Sequence, residues 1–265
     1  MSDRAPILWT PDAERVASAR LTAFMRAAEQ RTGRPMPDYD ALHAWSVTDK
    51  AAFWTAIWDD CGVIGDRSHR ALIDGDAMPG AQFFPDATLN FAENLLRRTD
   101  NGVAIIATDE SGIDRQLTWA ELREQVRRAA WALTDAGITV GDRVAGVTAN
   151  TPEAIIAALA AASIGAIWSS CSPDFGVEGI LDRFSQIMPT VLIATAEYSY
   201  GGKRFDNRAK VAEVAARLPS VRRVVLSDTW DDWLAAAPAG ELTFTRLPFA
   251  QPLYILYSSG TTGIP

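Results

Sequence analysis

The fold class is decided by residues 144–170, which read VAGVTANTPEAIIAALAAASIGAIWSS. Short apolar runs at 144–148 and 166–170 have the length and composition of buried strands. Between them, Thr151-Pro152-Glu153 supplies a cap residue, a proline at the first helical position and a first-turn acid, so a helix is predicted to begin there and to end near Gly165. A strand, a helix and a second strand in this order predict a parallel pair joined by a right-handed crossover.

The same alternation continues on both sides of this unit. Upstream, Thr118 and Glu121 form a capping box before a helical pattern that runs to Gly137. Further apolar runs predict strands at 103–108, 191–195, 221–226 and 253–257, and helical patterns lie at 179–188 and 209–218. Together they predict an α/β fold with a mostly parallel sheet flanked by helices. Residues 230–252 are predicted to be a connector or a small antiparallel excursion.

The first hundred residues have a different character, because their pattern is helical but irregular. Four of the nine tryptophans lie within the first 58 positions. Apolar side chains recur at helical spacing at Ala51, Phe53, Trp54, Ile57 and Trp58. Core packing is the favoured interpretation of this stripe, and an aromatic substrate box is the alternative. We therefore divide the chain into an N-terminal helical layer, 1–100, and an α/β domain, 101–265.

Composition excludes several classes of partner. The chain has 265 residues, with 25 basic and 33 acidic side chains and a net charge of −8, so neither nucleic acid nor an anionic membrane is expected as a partner. The longest apolar stretch, 154–168, has 15 residues, fewer than the roughly 20 that span a bilayer. The charged start of the sequence lacks the apolar core of a secretory signal, which favours the cytoplasm.

The two cysteines, Cys61 and Cys171, lie too far apart in sequence to suggest a metal-binding pair, and only two histidines accompany them. We expect no metal site and no disulfide framework. Cys171 follows a predicted strand, where a nucleophile could be placed, but no histidine lies nearby in sequence. A buried structural thiol is the favoured interpretation of this residue.

The strongest chemical signal lies at 253–265, which read LYILYSSGTTGIP. An apolar strand runs into a loop in which Gly260 and Gly263 let backbone N–H groups approach phosphate oxygens closely. The spacing matches neither the Walker loop nor the dinucleotide fingerprint. The alternative is a plain surface turn. Four hydroxyl side chains complete the candidate phosphate site: Ser258, Ser259, Thr261 and Thr262.

The string YSSGTTG-x-P at 257–265 resembles the phosphate-binding motif of the adenylate-forming enzymes, which include acyl-CoA synthetases, luciferases and peptide-synthetase adenylation domains. Residues 84–96, FPDATLNFAENLL, are similar to the opening segment of acetyl-CoA synthetases and their acetoacetyl-CoA relatives. Residues 168–176, WSSCSPDFG, most resemble the acetoacetyl-CoA synthetases. The resemblance also covers LTWAEL at 117–122, GITVGDRV at 137–144, NTPE at 150–153 and GAIW at 165–168.

This resemblance implies a fold, a reaction and a set of substrates. The chain would form part of the large N-terminal domain of an adenylate-forming enzyme. A carboxylate, here acetoacetate, would attack the α-phosphorus of Mg²⁺-bound ATP, and coenzyme A would then displace AMP to give a thioester. Thr261 and Thr262 would donate hydroxyls to the phosphates, while Ser258 and Ser259 would shape the loop. The adenylation lysine of the family is expected beyond Pro265, so we expect this chain to be a portion of the enzyme and inactive alone.

The resemblance also suggests where coenzyme A would bind. Related synthetases place such contacts in the turn that corresponds to EYSYGGKR at 197–204. Here Gly201 and Gly202 carry no side chain and leave the backbone accessible, and Lys203 and Arg204 supply positive charge. Tyr200 stands where acetyl-CoA synthetases bring an arginine, and a solvated basic turn is the alternative. Two residues that follow a predicted strand would line the same site: Ser172 and Pro173.

Other functions stay open at this point. An acetyl- or propionyl-CoA synthetase would differ in pocket residues that this chain does not include. A nucleotide- or CoA-binding module without chemistry is the alternative from another class, and a purely structural scaffold is a third. The sequence leaves the oligomeric state open.

Overall fold

The computed structural model describes residues 7–110 and 112–258. The chain forms two compact units. The first comprises the described part of residues 1–63 together with 67–86, and the second comprises 64–66 together with the described part of 87–265.

The helices of the described residues follow in chain order. They are α1 (Ala13–Ser18), α2 (Arg20–Thr32), α3 (Tyr39–Thr48), α4 (Lys50–Asp60), α5 (Phe91–Leu95), α6 (Trp119–Asp135), α7 (Pro152–Ile164), α8 (Val177–Ile187), α9 (Arg208–Arg217) and α10 (Trp230–Ala235), with a 3₁₀ turn at Ser227–Thr229. No helix among residues 7–110 and 112–258 has both the length and the apolar character of a membrane span.

The strands of the same residues are short. They are β1 (Gly65–Asp66), β2 (Leu72–Ile73), β3 (Gln82–Phe83), β4 (Thr88–Leu89), β5 (Val103–Asp109), β6 (Gly112–Thr118), β7 (Arg143–Val147), β8 (Ile167–Cys171), β9 (Val191–Ala194), β10 (Glu197–Tyr200), β11 (Lys203–Asp206), β12 (Arg223–Leu226) and β13 (Leu247–Pro248).

The first unit is built from helices α1 to α4 and the small antiparallel pair β2–β3. Its apolar core includes Phe24, Leu42 and Trp45. Phe53 packs edge-on against Trp45, with ring centroids 5.5 Å apart, and against Phe24 at 6.1 Å. Trp54, which is 39% exposed, packs edge-on against Phe83 in β3. These contacts support the core-packing interpretation of the aromatic stripe.

The second unit is centred on a four-stranded parallel sheet with strand order β12-β9-β7-β8. The pair β7 and β8, joined by α7, confirms the predicted crossover; Val144 lies opposite Trp168. After β8 the chain returns across β7 to β9, so the direction of winding reverses at β7. The α/β fold predicted from the sequence is thereby confirmed.

Helices cover both faces of this sheet. Val144 belongs to the core that includes α6 and α7, whereas its neighbours Ala145 and Val147 belong to the core that includes α8 and α9. Successive side chains of a strand point to opposite faces. A strand that is buried on both faces must therefore be apolar at every position, which explains the uninterrupted apolar runs in the sequence.

The ends of two helices follow from local sequence. The Glu121 N–H donates to Thr118 Oγ1 at 3.2 Å, and the Glu121 carboxylate accepts from the Thr118 N–H at 2.8 Å, so the predicted capping box is present. Helix α7 ends at Gly165, whose φ of +83° suits a residue without a Cβ.

Two predicted strands need correction. Residues 103–108 do form a strand, but β5 pairs antiparallel with β6 in a separate hairpin and is not part of the parallel sheet. Its side chains are mostly half-buried or exposed, and an apolar run alone does not show whether a strand is covered on both faces. Residues 253–257 contribute a single parallel bridge between Tyr254 and Trp168 in place of a full strand. The bridge rests on two hydrogen bonds between the main chains of these segments, of 3.1 and 2.9 Å.

The segment 230–252 contains both helix α10 and a short strand, β13, which pairs antiparallel with β4. The antiparallel excursion was predicted as one of two options, whereas α10 was not predicted. Six residues are too few to show helical periodicity clearly. Trp230 and Leu234 nevertheless fix α10 by joining the core that includes α6 and α7.

Gly146 in β7 provides a test of how tightly the sheet is packed. A Cβ built at this position would lie 2.7 Å from two atoms of the Trp168 indole, which covers the glycine from the neighbouring strand. We expect Gly146→Ala to destabilise the protein by about 1–3 kcal/mol through overpacking, measured as a lower denaturant midpoint.

Gly176→Ala is the matched control for this substitution. Gly176 is the N-cap of α8 with a φ of −67°, and apart from its chain neighbours no atom lies within 4 Å of its ideal Cβ, so only the weaker capping by alanine, about 0.5 kcal/mol, is expected. Equal midpoints for the two variants would contradict the packing of Trp168 over Gly146.

Candidate functional site

A cavity of about 980 Å³ lies at the carboxyl ends of β7, β8 and β9. Its walls come from the end of β5 and the following turn (108–110), the turn after β7 (148–151), the end of β8 and its following turn (170–174), and strand β10. In open parallel sheets, ligands bind outside the carboxyl ends where the winding reverses. The cavity occupies this position, next to β7, and is therefore the candidate functional site.

The turn after β8 places Ser172 and Pro173 at the wall of the cavity. Ser172 Oγ donates to Asp174 Oδ2 at 3.0 Å and accepts from the Asp174 N–H at 3.2 Å. Tyr198 Oη in β10 donates to Asp174 Oδ1 at 2.7 Å. The hydrogen bonds from Tyr198 and Ser172 lower the pKa of Asp174. Burial, and then the Asp174 carboxylate, raise the pKa of Tyr198 to about 12, so this hydroxyl stays a donor at neutral pH.

Strands β10 and β11 form a hairpin that brings the predicted residues 200–204 together. Gly201 and Gly202 make its turn with φ values of +58° and +71°, which favour glycine. Tyr200 pairs directly with Lys203, so these two side chains share one face. Tyr200 lines the cavity.

Arg204 lies on the other face of the same hairpin. It pairs with Ser199 across the strands and forms an ion pair with Glu197. Glu197 also accepts from Arg208 Nη1 at 2.7 Å. The two basic residues predicted for coenzyme A thus point to different faces, and only Lys203 shares the face of Tyr200.

Glu110 lies in the turn between β5 and β6, and its side chain contacts the Gly201–Gly202 turn of the β10–β11 hairpin. One oxygen of its carboxylate accepts from the Gly201 N–H at 2.7 Å and the other accepts from the Gly202 N–H at 2.9 Å. These two bonds lower the pKa of Glu110. Sequence reasoning missed this residue, together with Asp174 and Tyr198. A Gly-Gly turn signals free N–H groups that suit an anion, but nothing local identifies a partner 91 positions away.

The predicted phosphate loop is described only at its start. Ser258 is exposed at the end of the segment that runs beside β8. Ser259, Gly260, Thr261, Thr262 and Gly263 lie outside the described residues. Two hydrogen bonds of 2.8 Å hold the approach to the loop: Ser169 Oγ donates to the Ile255 carbonyl, and Tyr257 Oη donates to the Arg183 carbonyl.

Cys171 also lines the cavity. Burial raises the pKa of its thiol to about 12. The thiolate is the nucleophilic form of cysteine, so the Cys171 thiol is a poor nucleophile at neutral pH. The structure therefore agrees with the interpretation of Cys171 as a structural thiol.

Comparisons with known proteins agree with this architecture. Residues 91–265 match the family described as AMP-binding enzyme, and residues 39–95 match the acetyl-coenzyme A synthetase N-terminus. The chain is 50% identical, over 97% of its length, to the acetoacetyl-coenzyme A synthetase of Rhizobium meliloti (strain 1021). It is 37% identical, over 98% of its length, to the malonamoyl-CoA synthetase vrtB of Penicillium aethiopicum.

A solved structure gives the same result. The acetoacetyl-CoA synthetase from Streptomyces lividans matches 98% of this chain with a TM-score of 0.89 and 41% identity. The chain spans 42% of that structure and of the Rhizobium relative, and 40% of the Penicillium relative. Because the AMP-binding match covers well over half of the sequence, the chain belongs to the family of AMP-binding enzymes.

Proposed function

We propose that the whole protein joins acetoacetate to coenzyme A in an ATP-dependent reaction that passes through an acyl-adenylate and releases AMP and pyrophosphate. The observation that carries this proposal is the 50% identity, over 97% of the chain, to an acetoacetyl-coenzyme A synthetase. The 41% identity and TM-score of 0.89 to a solved acetoacetyl-CoA synthetase support it.

The chemistry divides into two displacements. A carboxylate oxygen of the acid attacks the α-phosphorus of ATP, and the bond to pyrophosphate breaks. The thiol of coenzyme A then loses its proton and attacks the acyl carbon, and AMP leaves with the electrons of the broken anhydride bond. A free carboxylate is a poor electrophile, and adenylation supplies the good leaving group that thioester formation needs.

The proposed contribution of residues 258–263 is to hold the β- and γ-phosphates of ATP. Backbone N–H groups at Gly260 and Gly263, with the hydroxyls of Thr261 and Thr262, would orient the pyrophosphate and stabilise its charge as it departs. Ser258 and Ser259 would shape the loop. Mg²⁺ would enter as the ion of the substrate ATP. The hydrogen bonds that fix Ile255 and Tyr257 support this role, because they hold the segment from which the loop departs.

The proposed coenzyme A site is the part of the cavity wall formed by Ser172, Pro173 and Tyr200, with Lys203 beside it. Coenzyme A carries a pyrophosphate and a 3′-phosphate, so its nucleotide end needs positive charge. Lys203 makes no ion pair among the described residues, whereas Arg204 is engaged by Glu197. We therefore assign the phosphate contact to Lys203 in preference to Arg204.

The identity of the acid can be tested in the full-length protein. The malonamoyl-CoA relative is 37% identical to this chain, so similarity in this region extends to an enzyme named for a different acid. Acid-dependent exchange of labelled pyrophosphate into ATP should be measured in the full-length protein with acetoacetate, acetate, propionate and malonamate. We expect acetoacetate to give the highest kcat/KM. Exchange with none of these acids would contradict the ligase and favour a binding module without chemistry.

The phosphate loop can be tested within the same assay. Thr262→Val removes a hydroxyl donor and Gly260→Ala adds a Cβ where a phosphate would approach. We expect Thr262→Val to slow acetoacetate-dependent pyrophosphate exchange by on the order of 100- to 1000-fold, the range for loss of one transition-state hydrogen-bond donor, and Gly260→Ala to slow it by crowding the phosphate. Thr134→Val is the control, because Thr134 lies on α6, where its Oγ1 donates to the Ala130 carbonyl within the same helix. Wild-type exchange rates in both loop variants would remove the assigned role.

The assignment of Lys203 predicts an asymmetry between neighbouring basic residues. Lys203→Gln should raise the KM for coenzyme A about 5- to 20-fold, as expected for loss of one charged hydrogen bond. Arg204→Gln should change it less than about twofold, since an exposed ion pair contributes little. Repeating the measurement with dephospho-coenzyme A shows whether the lost contact is to the 3′-phosphate, in which case the Lys203 effect disappears. A larger effect at Arg204 would reverse the assignment.

A further inference from the structure

The contact between Glu110 and the Gly201–Gly202 turn joins two hairpins that both contribute to the cavity wall. Both carboxylate oxygens of Glu110 are used, at 2.7 and 2.9 Å from two successive backbone nitrogens. The contact spans about 90 positions of sequence, so it is a product of the tertiary structure.

The geometry of the turn explains why a carboxylate fits there. Two successive residues with positive φ direct their N–H groups toward the same side and form a small anion-holding concavity. Hydrogen bonds from N–H groups to an ionised acceptor are stronger than neutral ones. Because Glu110 uses both of its oxygens, the carboxylate fixes the position of the turn relative to the end of β5.

A second carboxylate holds the same hairpin nearer its base. Asp174 accepts from Tyr198 Oη at 2.7 Å and from Ser172 Oγ at 3.0 Å, which links β10 to the turn after β8. The β10–β11 hairpin is therefore attached at its base by Asp174 and at its tip by Glu110. Tyr200 and Lys203 lie next to the tip.

We propose that Glu110 is a positioning residue for coenzyme A. It holds the Gly201–Gly202 turn, and with it Tyr200, which lines the cavity, and Lys203, which pairs with Tyr200 across the hairpin. This inference rests on the proposed function of the same site. Glu110 acts through the turn and takes no part in adenylation, so its removal weakens coenzyme binding and leaves the first half-reaction unchanged.

If Glu110 instead competed with coenzyme A, its removal would change the KM for coenzyme A in the opposite direction. If a phosphate of coenzyme A itself used the Gly201 and Gly202 N–H groups, Glu110 would compete with it, and removal of the carboxylate would tighten coenzyme binding. The direction in which the KM for coenzyme A moves therefore separates a positioning residue from a competitor. Because Glu110 occupies both donors, we assign the phosphate of coenzyme A to the side chain of Lys203.

The experiment compares Glu110→Gln and Glu110→Ala with the wild type in the full-length protein. Glutamine keeps one acceptor oxygen and alanine keeps none. We expect the KM for coenzyme A to rise about fivefold in the first and about twentyfold in the second, as expected for loss of one and two exposed hydrogen bonds. Pyrophosphate exchange, which needs no coenzyme A, should stay at the wild-type rate. Glu241→Gln removes the same charge from an exposed position and should leave both quantities unchanged.

Two results would overturn the proposal. A KM for coenzyme A that is unchanged or lower in Glu110→Ala would remove the positioning role, and the lower value would identify a competitor. A parallel loss of pyrophosphate exchange would show a general structural role.

Hydrogen exchange separates this proposal from the proposed function. Backbone amides of residues 197–206 should exchange faster in Glu110→Ala than in Glu241→Gln, whether or not the protein is a ligase. Equal exchange rates would show that Glu110 does not hold the turn. Faster exchange in a protein that shows no acid-dependent pyrophosphate exchange would refute the ligase and leave the contact itself intact.

Discussion

The position of β7 at the centre of the parallel sheet is the constraint on which the rest of the second unit depends. Its side chains alternate between two apolar cores, and the connections that leave β7 and β8 run in opposite directions across the sheet. No crossover helix can cover the carboxyl ends of strands at such a reversal. The cavity is therefore a consequence of the strand order, which reverses at β7, and its walls are formed by the turns that follow these strands.

The walls are completed by elements outside the sheet. The β5–β6 and β10–β11 hairpins reach the cavity through hydrogen bonds to carboxylates, at Glu110 and Asp174. These hydrogen bonds orient the turn at Gly201 and Gly202, where an ideal Cβ would meet no described atom within 4 Å apart from the chain neighbours.

Much of the architecture could be predicted from local sequence. The parallel pair β7 and β8, the capping box at Thr118 and the end of α7 at Gly165 all follow from residue types and their spacing. β5 is a strand as predicted, but it pairs antiparallel with β6, and residues 253–257 form only a single bridge; the pairing of a strand depends on which distant segment packs beside it. In the candidate site, the sequence indicated Ser172, Pro173 and Tyr200 through resemblance, and the structure brings all three to the cavity wall.

The sequence by itself determined the fold class and the family, because apolar periodicity, helix caps and a glycine-rich hydroxyl loop are local features. Only the tertiary structure decided which carboxylate holds the glycine turn, because that contact joins residues 91 positions apart. The two-residue Gly-Gly loop sets the register of its own hairpin and places Lys203 opposite Tyr200. The distant partner of the turn is set by how the chain packs, and no local pattern of residues encodes it.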